Sequence, residues 1–552
     1  MSDVNPADKH RSGRLPLPPM DLPRWGTAAE ATELSESIRA LLRDVLGVTA
    51  ETGRTFDPAA VTASPSRLTD VDLAALADIV GPGDVSVDDA QRLPRARGKS
   101  TPDLLAWRTR PAVDCPDAVV APGDDDEVAA LLDWCTTEKV AVVPFGGGTS
   151  VVGGLDPDTG TNRAVLSVDL AHFDGLESID PESGEAVLGA GVTGPRAEEL
   201  LAEHGFSLGH FPQSFPYATL GGYAMTRSSG QSSAGYGRFD EMVSGLTVVT
   251  PVGVIEAGRA PASAAGPDLR QWLLGSEGAF GVCTRVRVRI HPVPEVVRHE
   301  AFRFPDFATG AAALRAVEQQ GTGPTVIRLS DETETMVNLA TATDSIGEQT
   351  GDVEDRAGGC LCLCLFEGTA AHAGSRHAET REVLIAHGGT SLGPGPAQSW
   401  EHGRFGAPVL RDALLDNGAL VETLETATDW SRLPALRAAV TEALTTSLEA
   451  FGTPALVMCH ISHVYPTGAS LYFTVVAGQR GPDPVAQWLD AKRAASEAIV
   501  AAGGTITHHH AVGVDHRPYL QSEIGEVGLR MLRAVKSAVD PHGVCNPGTL
   551  IP

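Results

Sequence analysis

The sequence predicts an α+β protein, on three observations. Residues 111–296 break into short apolar strands separated by glycine-rich turns. Within them, Gly281–Ile290 alternates Val282, Thr284, Val286, Val288 and Ile290 with Arg285, Arg287 and Arg289, the pattern of a strand with one buried face. Beyond Pro292 and Pro294, strand patterns at Gly359–Glu367 and Ser470–Ala477 share a second unit with long helical patterns at Trp430–Phe451 and Pro484–Ala502.

Taken in order, residues 1–110 read as an N-terminal helical region. Pro16-Leu17-Pro18-Pro19 is a stiff extended segment, followed by amphipathic stretches around Ala28–Leu46 and Asp70–Val80. In the unit 111–296, Asp124-Asp125-Asp126-Glu127 suits the positive end of a helix running to Glu138, since carboxylates favour helix N-termini. Val140–Phe145 and Ala164–Leu170 are strands. Leu176–Asp180 and Ala186–Ala190 form a hairpin, as do Thr247–Thr250 and Val254–Glu256, and Pro195–His204 is a helix. Residues 297–505 make the second unit, in which CLCLCLFEG (Cys360 to Gly368) reads as a buried strand with three thiols on one face. Residues 506–552 close the chain with a helix near Gly525–Val539.

Composition narrows the function classes. Apolar residues are 42% and charged residues 20%, enough for ordinary cores. Lys+Arg 42 against Asp+Glu 70 leaves a net charge of −28, which repels phosphate backbones and anionic membranes and excludes nucleic acid as an expected partner. No run of 18 apolar residues exists, so no transmembrane segment is expected, and the N-terminus lacks the apolar stretch of a secretory signal. Eight cysteines in 552 residues are not a disulfide scaffold, and the expected setting is the cytoplasm.

One loop is a candidate anion seat. Pro144, Phe145, Gly146, Gly147, Gly148, Thr149 and Ser150 directly follow a strand; three glycines let backbone N–H groups approach an anion, and two hydroxyls add donors. It is neither a GxxxxGK[ST] loop nor a GxGxxG turn, and alone it reads equally well as a tight turn. Further small-residue clusters occur at Gly221-Gly222, Thr226–Gly230 and Gly275–Gly281, a spacing that suits a long diphosphate-bearing cofactor laid across a sheet.

PDAVVAPGDDDEVAALLDWCTTEKVAVVPFGGGTS, GGYAMTRSSG…YGRFDEMVSGLTVVTPVGVIE…GSEGAFGV and the closing NPGTLIP together resemble the FAD-binding domain of the vanillyl-alcohol oxidase and p-cresol methylhydroxylase superfamily. The resemblance implies a two-subdomain FAD-binding domain plus a cap domain with an antiparallel sheet and flanking helices. It implies flavin contacts at the 144–150 loop, at Gln213, Ser214, Phe215, Pro216, Tyr217, Ala218 and Thr219, and at Thr226, Arg227, Ser228 and Ser229. A fourth set of contacts is implied at Glu277, Gly278, Ala279, Phe280, Gly281, Val282 and Cys283. Thr149 and Ser150 stand where some relatives carry a flavin-tethering histidine, so FAD is expected to be non-covalent.

Residues Thr325–Leu329, Tyr465–Phe473, His508–His510 with Val512-Gly513, and Ala538–Pro541 resemble one branch, the alkylglycerone-phosphate synthases. That resemblance implies a flavoenzyme exchanging an acyl for an alkyl chain on a small anionic substrate, with a lipid chain in play. Arg411 would hold the anion, Tyr472 would be the acid/base, and His508, His509 and His510 would be needed for activity. Physically, arginine offers a charged planar fork, and tyrosine removes a proton only if a cation or imidazole lowers its pKa. No neighbouring Cys/His/Glu spacing completes a zinc set, so no metal is expected. A homodimer is the expected assembly. Two features depart from the branch: Asp515, in Val514-Asp515-His516-Arg517, stands where a basic run is usual, and Gln213 stands where an acid precedes Ser. A branch-type peroxisomal address is absent at Arg14–Leu22. The alternative is an FAD-linked oxidoreductase for a D-2-hydroxy acid such as lactate, glycolate or 2-hydroxyglutarate, with Arg411 on the carboxylate and a histidine of 508–510 as base.

Overall fold

The computed structural model describes residues 15–48, 53–345 and 358–552, with side chains left aside at 339–345. The first fourteen residues, on which the expectation of no secretory signal rests, lie outside them, as does Arg14 of the address segment.

Three sheets organise the chain. The first runs Val85–Ser86, Ala118–Val120, Ala164–Asp169, Val140–Phe145, parallel apart from its first pair. Its three parallel strands are buried on both faces, hence their continuous apolar runs. The helix Asp125–Glu138 covers it, capped by Asp124, whose Oδ1 accepts from Glu127 N at 2.9 Å, and it buries Val128, Leu131, Leu132 and Cys135. The second sheet is antiparallel, in the order Gly253–Ala257, Val243–Thr250, Val282–Arg289, Glu185–Gly189, Leu176–Asp180. Val282, Thr284, Val286 and Val288 are fully buried in it, while Arg285 reaches out to Asp125 and Glu177. The half-buried alternation and both hairpins are as the sequence predicts.

The third sheet has seven antiparallel strands, in the order Thr390–Gly393, Val296–Phe304, Cys360–Gly368, Val326–Ser330, Ala455–Ile461, Gly468–Gly478, Ala419–Asp429. Cys360 and Cys362 pair in register with Phe304 and Phe302, and the three thiols share one core with those rings, acting as small apolar groups. The helices Leu433–Ala450 and Pro484–Ala501 bury Leu436, Val440, Leu444 and Trp488 in the same core. This is the α+β architecture expected. Among the described residues no helix is long and apolar enough to cross a membrane.

Two local differences have physical reasons. The first helix spans Glu36–Leu46 rather than starting at Ala28, because Ser35 caps it (Ile38 N to Oγ, 3.3 Å) and Ala28–Glu30 form only a single 3-10 turn. The last helix is drawn from Leu520 to Val539 but breaks at Gly525, whose φ of 73° is left-handed. The N-terminal region is also tied to the rest. Leu76 and Val80 of the helix Asp70–Val80 enter the core of the first two sheets, and buried Arg95 pairs with Asp169 at 2.6 Å.

Candidate functional site

The glycine loop closes against the 213–219 segment. A Cβ on Gly147 would lie 2.0 Å from the Tyr217 carbonyl oxygen, and one on Gly146 would lie 2.4 Å from Thr219 Oγ1, so only glycine permits this approach. Thr219 caps the helix Leu220–Thr226, and Arg227, at φ 52°, ends it. The Glu277 N–H donates to Met225 O at 3.0 Å, and Gly278 packs on Pro144. The four segments therefore meet. What they present is mostly backbone: the side chains of Phe145, Val282 and Cys283 lie in cores, and Ala279 and Phe280 pack with Leu520, Leu529 and Leu550. The Arg227 guanidinium is engaged by Leu274 O, Gln271 O and Asp240.

Polar groups are left over around this loop. A pocket against it is lined by Arg97, Lys99, Trp107, Phe145, Gly147 and Gly148. Arg97 Nη1 is buried without a partner, as is Gln213 Oε1. A buried guanidinium short of a partner beside glycine backbone fits an anionic, diphosphate-bearing ligand.

A second cluster forms where the third sheet meets the segment 505–516. Glu425, within Ala419–Asp429, pairs in register with Tyr472 of Gly468–Gly478. The Tyr472 ring lies between His460 (centroids 4.9 Å, 22°) and His509 (6.0 Å, 12°), with His510 edge-on at 5.8 Å. His508 Nδ1 is 3.0 Å from His509 Nδ1, and the Tyr465 hydroxyl is 2.5 Å from His508 Nε2. His463 stacks on His508 at 5.1 Å, and its ring lies within 3.4 Å of Ser229 Oγ. Ligand atoms of His463, His508 and His509 lie within 4.8 Å of one another. Spacing found no companion for the three adjacent histidines; the fold supplies His463 from a neighbouring strand connection. That Ser229 contact links this cluster to the 226–229 segment, in which Ser228 Oγ lies 3.1 Å from His210 Nε2.

Burial governs the ionisation here. It lowers the pKa of His508, His509 and His510, the last to about 3, against the pull of Glu425. It also raises Tyr472 above the ordinary phenol value, outweighing Thr423 and Arg411. The condition under which Tyr472 would remove a proton is therefore not met in the protein alone, where it is a neutral hydroxyl.

Arg411, on the helix Ala407–Asp416, is buried. It donates from Nη1 to Glu422 Oε1 at 2.8 Å and from Nη2 to Lys99 O at 3.2 Å, lies over the Trp25 ring, and leaves Nε buried and unpartnered. Lys99 N donates to Ser150 O at 2.7 Å, so the same stretch touches the glycine loop. Asp515, expected to oppose an anion, is paired with Lys492 Nζ at 2.6 Å, which offsets its charge.

Sequence reasoning missed Trp25, Arg97, Lys99, Glu422, Glu425 and His463. Two signals were available. Lys99 is one of only five lysines, and Glu422 and Glu425 interrupt a strand that otherwise buries Ala419, Leu420, Val421 and Leu424.

Residues 116–258 match the family model described as "FAD binding domain", and 293–550 match "FAD linked oxidases, C-terminal domain". The alkyldihydroxyacetonephosphate synthase of Trypanosoma brucei brucei is 35% identical over 497 residues, covering 86% of this chain and 80% of that protein. Its namesake in Dictyostelium discoideum is 31% identical, covering 85% and 79%. A solved structure of an alkyldihydroxyacetonephosphate synthase superposes with a TM-score of 0.81 at 26% identity, covering 96% of this chain and 98% of that one.

Proposed function

The chain belongs to the alkyldihydroxyacetonephosphate synthase family, and from that premise we propose that it replaces the acyl chain of an acylated dihydroxyacetone phosphate with the alkyl chain of a fatty alcohol, releasing a fatty acid. The enzyme is FAD-dependent. The observation that carries the reading is the convergence of Tyr472 with His509 and His510.

In this reading the backbone of Pro144–Ser150, Gln213–Thr219, Thr226–Ser229 and Glu277–Cys283 would hold FAD, and the unpartnered Arg97 would be available to its anionic part. FAD, when bound, would supply the electrophilic and nucleophilic ring chemistry of an exchange without net oxidation. Arg411 receives the substrate phosphate through its free Nε, while Glu422 and Lys99 O fix the rest of its fork. Tyr472 and the neutral imidazoles of His509 and His510 face the carbon that changes substituent. A neutral imidazole takes up the proton lost there, and the Tyr472 hydroxyl donates to the developing oxyanion. Thr149 and Ser150 support a non-covalent flavin, which acid precipitation then releases into the supernatant.

The eight cysteines are buried and unpaired, which supports a reducing, cytoplasmic setting. A homodimer and a long-chain substrate belong to the same reading; light scattering and a chain-length series test them. The deciding experiment gives the purified holoenzyme an acylated dihydroxyacetone phosphate with a fatty alcohol, and separately gives it D-lactate or D-2-hydroxyglutarate under anaerobic conditions. Release of fatty acid without lasting flavin bleaching is expected. Bleaching by the hydroxy acids with no fatty acid release replaces this reading with the oxidoreductase.

A further inference from the structure

Glu425 is the most thoroughly enclosed acid of the catalytic cluster: its side chain is 0% exposed. Every polar contact of its carboxylate points to the same loop. Thr507 Oγ1 donates to Oε1 at 2.7 Å, His509 N at 3.1 Å and His510 N at 2.9 Å, while His508 N donates to Oε2 at 2.6 Å. The ring nitrogens Nδ1 of His509 and His510 stand 3.6 and 3.8 Å from its oxygens, beyond hydrogen-bond reach but well inside ion-pair distance. Three consecutive backbone N–H groups converging on one carboxylate form a concave anion seat, and here the anion belongs to the protein.

The placement ties this seat to the chemistry. Glu425 lies opposite Tyr472 in the antiparallel register, so the residue that holds the loop and the residue the loop serves are on adjoining strands. Thr505 N donates to Ala427 O and Thr426 Oγ1 to Thr505 O, which run the loop along the same strand up to Glu425. A buried ionised carboxylate is retained only when its charge is met. Four donors meet it here, and two imidazoles stand ready to pair with it whenever either gains a proton.

We propose that Glu425 is the positioning residue of the active site: it holds His508–His510 by their backbone against Tyr472 and supplies the counter-charge to an imidazole that has taken up a proton. This inference rests on the synthase reading for its kinetic consequence but not for its structural one. Removing the charge leaves the loop without its anchor and any imidazolium without compensation, so the cost falls on turnover. Substrate binding, which depends on Arg411 at Glu422, is spared.

The test compares wild type with Glu425→Gln and Glu425→Asp as FAD-loaded enzymes. E425Q should keep its FAD, lose at least about tenfold in kcat and leave KM within about twofold, while E425D regains a substantial part of that loss. Without any substrate, the imidazole nitrogen signals of His508–His510 in histidine-labelled protein should move in E425Q, while those of His172, bonded to Asp84 elsewhere, stay put. A chain with no synthase activity that still shows the imidazole shift removes the proposed reaction and leaves this inference standing. E425Q with bound FAD, wild-type kcat and unmoved imidazoles overturns it. Should E425Q lose FAD, E425D decides. Bound FAD with lowered kcat, unchanged KM and displaced imidazole signals supports the role. Wild-type behaviour, or loss of FAD in E425D as well, overturns it and makes Glu425 a purely structural acid.

Discussion

Arg411 gives its Nη1 to Glu422 Oε1 at 2.8 Å and keeps its Nε buried and without a partner. One edge of the guanidinium is thereby spent on orientation and another is left to recognise an anion. Glu422 is itself fixed by Thr423 N at 2.8 Å and by Thr101 N, so the fork cannot swing freely. Lysine keeps the charge at this position but has no fork with which to satisfy Glu422 and an anion together. Arg411→Lys is therefore expected to raise KM for the phosphorylated substrate by about tenfold or more, with kcat changed far less. FAD content, measured by absorbance per chain, should stay at the wild-type level.

Tyr472 tests the assignment of proton chemistry. Its hydroxyl is the only difference between tyrosine and phenylalanine, and its ring is held between His460 and His509 whichever residue is present. Tyr472→Phe is expected to lower kcat by about a hundredfold, a magnitude typical of a lost proton donor, with KM and FAD unchanged. Because burial raises the phenol pKa, the hydroxyl stays protonated through neutral and mildly alkaline pH. Any alkaline limb in the wild-type kcat profile that vanishes in Y472F should therefore lie above pH 10, the ordinary tyrosine value.

Local patterns carried much of the fold. The helix Asp70–Val80 and the strand Val140–Phe145 have the bounds their periodicity predicts, because a capped helix and a strand buried on both faces are written within a dozen residues. The site was legible only in part. Arg411, Tyr472 and His508–His510 came from resemblance, since no spacing links residues on a helix, a strand and a distant loop. Glu425 and His463 escaped because their significance lies in register with Tyr472 and in stacking on His508. The direction of the Tyr472 pKa was not legible for a related reason: a neighbouring cation such as Arg411 does lower it, but the desolvation that outweighs the cation is visible only in three dimensions.

Gly147 measures how closely the cofactor loop must fold. An added Cβ would sit 2.0 Å from Tyr217 O and 2.7 Å from its carbonyl carbon, and backbone cannot yield as a side-chain end can. Gly147→Ala should separate the 144–150 loop from the 213–219 segment, costing about 1–3 kcal/mol as overpacking does. FAD occupancy of the purified variant should drop well below wild type, with a lowered Tm. Full occupancy and an unchanged Tm would mean that the two segments need not touch for the flavin to bind.

Glu277 yields a prediction about stability against pH. Its carboxylate accepts from Val512 N at 3.1 Å and Gly513 N at 2.9 Å, tying the 277–283 segment to the closing part of the chain. Burial outweighs those bonds and pushes the pKa from 4.5 up to about 7. A carboxyl raised in the folded state favours folding when protonated. Its contribution is fully present below about pH 4.5 and is lost as pH rises through about 7. Glu277→Gln keeps an acceptor for Gly513 and removes the titration. The Tm of the FAD-free variant, minus that of wild type at the same pH, should thus climb between pH 4.5 and 8, whatever the other buried acids do to both proteins. Asp156, also raised to about 7, and Asp412, raised to about 6, titrate in wild type and variant alike and cancel in the difference. A Tm difference that stays flat across that window, measured by differential scanning fluorimetry, means that Glu277 titrates in the folded protein at its ordinary value of 4.5. The backbone donors of Val512 and Gly513 would then balance its burial.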